Sequence, residues 1–135
     1  MHPLKDYTPI VGNQVIEELF LLAEKTKGCT VQNINSTSVG GGVAEILNRM
    51  IPLLNELGIN AKWDVIKGGE KFFRVTKKFH NALHGKEEDI SAEDFTVFLE
   101  TSEMNNQTME LAGDILLIHD PQPIALVNRK NGKQA

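Results

Sequence analysis

Residues 29–66 read CTVQNINSTSVGGGVAEILNRMIPLLNELGINAKWDVI, and their order decides the fold. Residues 29–35 alternate Cys29, Val31 and Asn33 against polar neighbours, the pattern of a strand, although Gln32 and the asparagines are poor residues for a buried one. Beyond three consecutive glycines, Val43, Ile46, Leu47, Met50, Leu54 and Leu57 recur at helical spacing up to Gly58. Pro52 falls inside that helix and is expected to kink it or split it in two. Residues 59–66 then read as a second strand, with Ala61, Trp63 and Val65 on one face as core. Strand, long helical crossover and strand make a parallel pair.

The flanks extend the pattern. Upstream, residues 13–27 form a helix with Val15, Leu19, Leu22 and Ala23 on one face, Asn13 as a cap and Gly28 past its end. Downstream, residues 69–85 form a helix striped by Phe72, Val75, Phe79 and Leu83, followed by an exposed acidic turn over 85–90. Ser91 and Asp94 resemble a capping box opening another helix, whose apolar face is Phe95, Phe98 and Leu99. In residues 114–120 the unbroken run Ile115 to Ile118 predicts a strand buried on both faces. The end starts like a helix at 123 and passes into a polar tail over 126–135. The expected architecture is α/β: a partial Rossmann-like parallel sheet with flanking helices, in one domain over 1–135.

Composition bounds the function. The chain has 135 residues, 41% of them hydrophobic, and 14 basic against 18 acidic residues. A mildly acidic chain lacks the cationic surface that nucleic acid or an anionic membrane requires. One cysteine, Cys29, excludes an internal disulfide framework and fits a reducing compartment as a buried small residue. No apolar run approaches the roughly 20 residues that span a bilayer, and the first residues lack a signal peptide's apolar core, so a cytoplasmic location is expected.

In parallel α/β sheets ligands sit at the carboxyl ends of the strands. The glycine loop after the first strand and HDPQP (119–123) after the third both fall there, so they are expected to meet. Gly40, Gly41 and Gly42 precede a helix N-terminus, where free amides favour an anion or hydroxyl oxygens; a tight turn is the plainer alternative. The loop is neither a dinucleotide fingerprint, since Glu45 takes the third small position, nor a P-loop, since no Gly-Lys-Ser/Thr follows. A nucleotide-dependent oxidoreductase has only Asp64, 22 residues after Gly42, in its favour. Asp120 can hold sugar hydroxyls or balance developing positive charge, and His119 can donate a hydrogen bond or shuttle a proton. Their alternative duties are capping for Asp120 and a half-buried polar place for His119. Asn35, Ser36, Thr37 and Ser38 add hydroxyl and amide partners at the mouth of the first strand. His80 and His84 have metal-binding spacing without the glutamate of a metalloprotease, and read as a solvated helix face. No metal and no cofactor are expected.

With these segments placed, YTPIVGNQVIEELFLLAEKTKG, NINSTSVGGGVAEILNRMIPLLNELGINAKWDVIKG, FFRVTKKFHNALHG and DILLIHDPQP together resemble the N-terminal part of the trehalose synthase and trehalose phosphorylase group of retaining glycosyltransferases (family 4, GT-B fold). The likeness spans about residues 7–125, and GGGVAEIL and HDPQP are its most specific parts. It implies the N-terminal half of a two-domain enzyme that moves glucose from a nucleotide-glucose or glucose 1-phosphate to glucose, forming trehalose with retention. By that resemblance Gly41 and Gly42, with Gly40 beside them, approach the donor phosphate and sugar. Asp120 and His119 hold the sugars near the reacting carbon, and Asn35 and Ser36 line the acceptor side.

The resemblance also implies a second half that grips the donor nucleotide, and the sequence stops before it. A fragment, a shortened product, or a chain completed by a C-terminal domain or by self-association as a homo-oligomer are the expectations. A non-catalytic interaction domain that keeps the fold without the chemistry is the competing one.

Overall fold

A computed structural model describes residues 3–129. A 3-10 turn over Leu4–Tyr7 leads into the short α1 (Thr8–Val11) and then α2 (Asn13–Glu24). The order continues as β1 (Thr30–Asn35), α3 (Gly42–Glu56), β2 (Asn60–Val65), α4 (Glu70–Leu83), α5 (Ala92–Thr108), β3 (Ile115–Ile118) and a 3-10 helix over Ile124–Arg129. The strands form one parallel sheet in the order β2-β1-β3, with Asn35 opposite Val65 and Ile34 opposite Ile118. This is the partial Rossmann-like α/β arrangement that the strand–helix–strand spacing predicts. α3 packs over β1 and β2, while α4, α5 and the last 3-10 helix pack together.

The core shows why the sheet closes as it does. Ile34, Ile66, Phe72 and Leu126 are buried together, with Val97, Phe98, Met109, Leu111 and Ile118 packed around them. Each such side chain taken from water contributes about 1.5–3 kcal/mol. Phe72 stacks on Phe98 at 6.0 Å, and Phe79 meets Phe98 edge-on at 5.3 Å, joining α4 to α5. Ser91 and Asp94 form the capping box that the sequence predicts: Asp94 N donates to Ser91 Oγ at 3.2 Å, and Ser91 N to Asp94 Oδ2 at 2.9 Å.

Several expectations are corrected. α2 forms, but Val15, Leu19 and Leu22 are exposed and only Ala23 is buried, because α2 packs mainly on α1 and not on the sheet. β3 is not buried on both faces: Leu117 is exposed and its neighbours are partly so, because β3 is an edge strand with β1 as its one partner. Leu83, Phe95 and Leu99 lie exposed at the outer rims of their stripes. Pro52 does not split its helix, which runs unbroken from Gly42 to Glu56. Cys29 and Trp63 are half-buried. The most buried side chains of β1 include Gln32, Asn33 and Asn35, the residues that strand propensity ranks worst. Of the polar tail expected over 126–135, residues up to 129 belong to the 3-10 helix, and the remainder lies outside the described residues.

Candidate functional site

β1 ends at Asn35, and the chain reaches α3 through an exposed loop whose last members are Gly40 and Gly41. The loop is braced at its base. Asn35 Nδ2 donates to the Thr37 carbonyl at 2.8 Å, Thr37 Oγ1 donates to Val39 O at 2.7 Å, and Val39 N donates back to Thr37 Oγ1 at 3.2 Å. Above this brace opens a cavity of about 310 Å³ lined by residues 35–37, residues 40–44 and Asp120. The carboxyl-edge rule thus brings the glycine loop and the HDPQP segment to one cavity.

The three glycines differ. Gly40 and Gly41 have φ of +71° and +88°, a region that side-chain-bearing residues rarely adopt, so backbone geometry alone calls for glycine there. Gly42 does not: it is the first residue of α3, its φ is not positive, and a Cβ added to it would meet nothing within 4 Å. A methyl group at Gly42 would therefore stand in open space. Gly41 offers no side-chain cap, so the amides of the first turn keep their capacity for an external oxygen.

Asp120 is exposed and has φ +67°, the one non-glycine residue in the left-handed region among the described residues. Aspartate tolerates that conformation better than most, at a cost of about 1 kcal/mol or more. The turn delivers Asp120 to two cavities at once. The second, also about 310 Å³, is lined by Phe73, Thr76, Lys77, His80, Asp120 and Gln122. Sequence reasoning missed Lys77, His80 and Gln122; the signal that was available was their nearness to a carboxyl-edge segment, through a helix packed on the same side as HDPQP.

His119 lies beside this junction. Its N–H continues the β1–β3 ladder to Ile34 O at 2.9 Å, and its ring Nε2 sits 3.0 Å from Asn33 Oδ1. Asn33 and Asn35, both fully buried, share one face of β1. Asn35 Oδ1 accepts from the Trp63 indole at 2.9 Å, so with the Thr37 bond its amide is committed within the fold. Asn35 therefore reaches the cavity as wall and brace, whereas Ser36 stands half-buried at the rim.

Other clusters are occupied by the fold. Asp64 accepts from Gln32 Nε2 at 2.8 Å and lines a separate cavity of about 290 Å³ with Gln32, Lys62 and Lys67, away from the glycine loop, which removes the one feature favouring a dinucleotide site. The His80 and His84 rings lie 4.3 Å apart, with His84 Nδ1 at 2.8 Å from His80 O. Among the described residues no three His, Cys, Asp or Glu side chains come together to hold a metal, and no helix is long and apolar enough to cross a membrane.

A parallel sheet flanked by helices, with the glycine loop and the terminal aspartate lining one carboxyl-edge cavity, is a partial Rossmann-like arrangement. The chain belongs to the family described as trehalose synthase, N-terminal domain, whose model matches residues 33–135. It is 45% identical to the trehalose synthase of Pyrococcus horikoshii over 126 residues, 92% of this chain and 30% of the relative. It is 42% identical to the trehalose synthase of Rubrobacter xylanophilus over 132 residues, 96% of this chain and 32% of the relative. A fungal trehalose phosphorylase, from Grifola frondosa, is 31% identical over 84 residues, 61% of this chain and 12% of that protein. The chain thus spans about a third of the length of the trehalose synthases it matches.

Proposed function

We propose that the chain is a sugar-handling N-terminal domain or fragment of a glycosyltransferase that moves glucose from a nucleotide-glucose or glucose 1-phosphate to glucose, forming trehalose with retention of configuration. The observation that carries this reading is Asp120, which lines both carboxyl-edge cavities. One cavity takes the donor glucose and its phosphate oxygens against the first turn of α3; Asn35 and Ser36, expected on the acceptor side, line this same cavity, and Ser36 meets hydroxyls at its rim. The other takes the second sugar beside Lys77, His80 and Gln122. Asp120, between them, binds hydroxyls and offsets positive charge at the anomeric carbon.

Asp120 is the one carboxylate lining either cavity among the described residues. Glycosidases that retain configuration through a covalent intermediate place two carboxyl groups about 5 Å apart, and these cavities offer no such pair. Positioning of the two sugars and stabilisation of the leaving phosphate then supply most of the catalysis. The groups that grip the donor nucleotide lie in the additional length that the relatives possess, or in a second copy of the chain. The exposed apolar residues of α1 and α2 and the open edge of β3 are suited to receive either.

Saturation-transfer NMR with trehalose and with a nucleotide-glucose tests the reading. Saturation should pass to ring protons of both ligands and drop sharply in Asp120→Asn. Transfer that is the same in Asp120→Asn, or no transfer to any glucoside, contradicts it and favours an interaction domain without chemistry.

A further inference from the structure

Asn33 occupies the middle of the central strand and is 0% exposed. A β-branched residue there would pack without the cost of burying an amide, about 1–3 kcal/mol when it is left unbonded. The amide must therefore be held by partners or serve one. Its neighbour two residues on shows what a structural amide looks like: Asn35 makes bonds of 2.9 Å to Trp63 and 2.8 Å to Thr37. Asn33 has one comparable bond, 3.0 Å between its Oδ1 and His119 Nε2; its Nδ2 donates to the Lys62 carbonyl at a long 3.5 Å. Reversing the amide would set its oxygen against the Lys62 carbonyl oxygen, two acceptors facing each other. Oδ1 therefore faces the ring, and because a carboxamide oxygen can only accept, the ring nitrogen opposite it carries the N–H.

The geometry points to Asn33 as a positioning residue: it holds the His119 imidazole by its Nε2–H and leaves Nδ1 as the neutral ring's lone pair for a ligand hydroxyl. The inference rests on the proposed function for the identity of that hydroxyl, which belongs to a sugar. It does not rest on it for the state of the ring. Among the described residues Nδ1 has no hydrogen-bond partner, and His119 is only half-buried. The other titratable groups at this junction, Asp120, Lys77 and His80, line the cavities; Asn33 meets the ring from its fully buried place in β1. The arrangement is that of an orienter behind a histidine, which fixes tautomer and ring plane without touching the ligand.

Long-range proton–nitrogen NMR of the labelled chain, at a pH where the ring is neutral, tests this without any ligand. The expected result is a proton on His119 Nε2 that is protected from solvent exchange. Asn33→Leu should lose that protected signal while keeping a dispersed amide spectrum, and Asn33→Asp, whose carboxylate accepts from the same N–H but sets its second oxygen against the Lys62 carbonyl, should keep it at some cost in stability. A proton on Nδ1 in the unmodified chain, or a protected Nε2–H that survives Asn33→Leu, overturns the proposal. If the leucine variant fails to fold, the unmodified chain and Asn33→Asp still decide the ring. In a trehalose titration Asn33→Leu should weaken binding about tenfold, the loss of one hydrogen bond to an oriented ring, with the Gly40–Gly42 shifts still reached at saturation. Unchanged affinity confines Asn33 to the fold and also overturns the proposal. If the unmodified chain ignores trehalose as well, it is the proposed function that fails, and the ring measurement stands on its own.

Discussion

Asn105 of α5 closes both backbone groups of Lys67: its Oδ1 accepts from Lys67 N and its Nδ2 donates to Lys67 O, each at 2.7 Å. One buried amide thus acts as an extra strand partner just beyond β2, in the turn that precedes α4. Removing it leaves two backbone groups unbonded in a half-buried place. Asn105→Ala should therefore cost about 2–4 kcal/mol, read as a lower urea midpoint, and Asn105→Asp should cost less only if Lys67 O finds another donor.

The Gly41 and Gly42 pair separates backbone demand from ligand demand. Gly41→Ala meets φ +88° and ψ 151° and should destabilise by about 1–3 kcal/mol. Gly42→Ala removes unfolded-chain freedom at a compatible helical position and should stabilise by about 0.4–1 kcal/mol. The same methyl group stands where the donor is proposed to approach, so glucoside binding should fall although the fold gains. Thermal melting alongside a binding titration checks both signs.

Asp120 should divide in the same way. Asp120→Asn keeps a side chain that tolerates the left-handed φ and should leave stability within about 0.5 kcal/mol. Asp120→Val places a β-branched residue at φ +67° and should destabilise by about 1–3 kcal/mol. Both should lose the sugar response, and only the valine variant should melt early.

The pH dependence of stability should centre on Lys78 and Asp94, whose Nζ and Oδ2 lie 2.9 Å apart between α4 and α5. The hydrogen bond from Lys78, followed by that from the Ser91 amide, lowers the Asp94 pKa below 3.8; the bond to Asp94 raises that of Lys78 above 10.5. Asn81, then Lys86, likewise lowers that of Glu88 below 4.5. For the depressed carboxylates the stabilising contribution is present above the ordinary carboxylate range and lost as pH falls through the lowered values. For Lys78 it is complete below 10.5 and lost as pH rises through the raised value. Stability should therefore be flat near neutrality and fall at both ends, and Lys78→Met should flatten both limbs in chemical denaturation across pH.

Much of this is legible in the sequence. Strand–glycine–helix–strand spacing predicts the parallel pair, the Ser91–Asp94 spacing predicts the cap, and the carboxyl-edge rule brings Gly40–Gly42 and Asp120 together. What stayed hidden depends on partners distant in sequence. Strand propensity treats Gln32, Asn33 and Asn35 as misfits because it prices a side chain against an apolar face; Asp64, His119 and Trp63 supply the missing bonds. Periodicity shows that α2 has an apolar stripe but not what covers it, and the run at 115–118 cannot announce that its strand stands at a sheet edge. The left-handed backbone of Asp120 is hidden for a local reason: a residue before proline is biased to extended backbone. His80 reads as a solvated helix residue until α4 is packed beside the HDPQP turn.

The most direct measurement is an amide NMR titration of the labelled chain with glucose, trehalose and a nucleotide-glucose. The account predicts saturable shifts at Gly40–Gly42 and around Asp120, absent in Asp120→Asn under the same conditions. A well-dispersed spectrum that ignores all three ligands would contradict it, and would leave the glycine loop as a turn and Asp120 with a capping duty toward the helix that follows it.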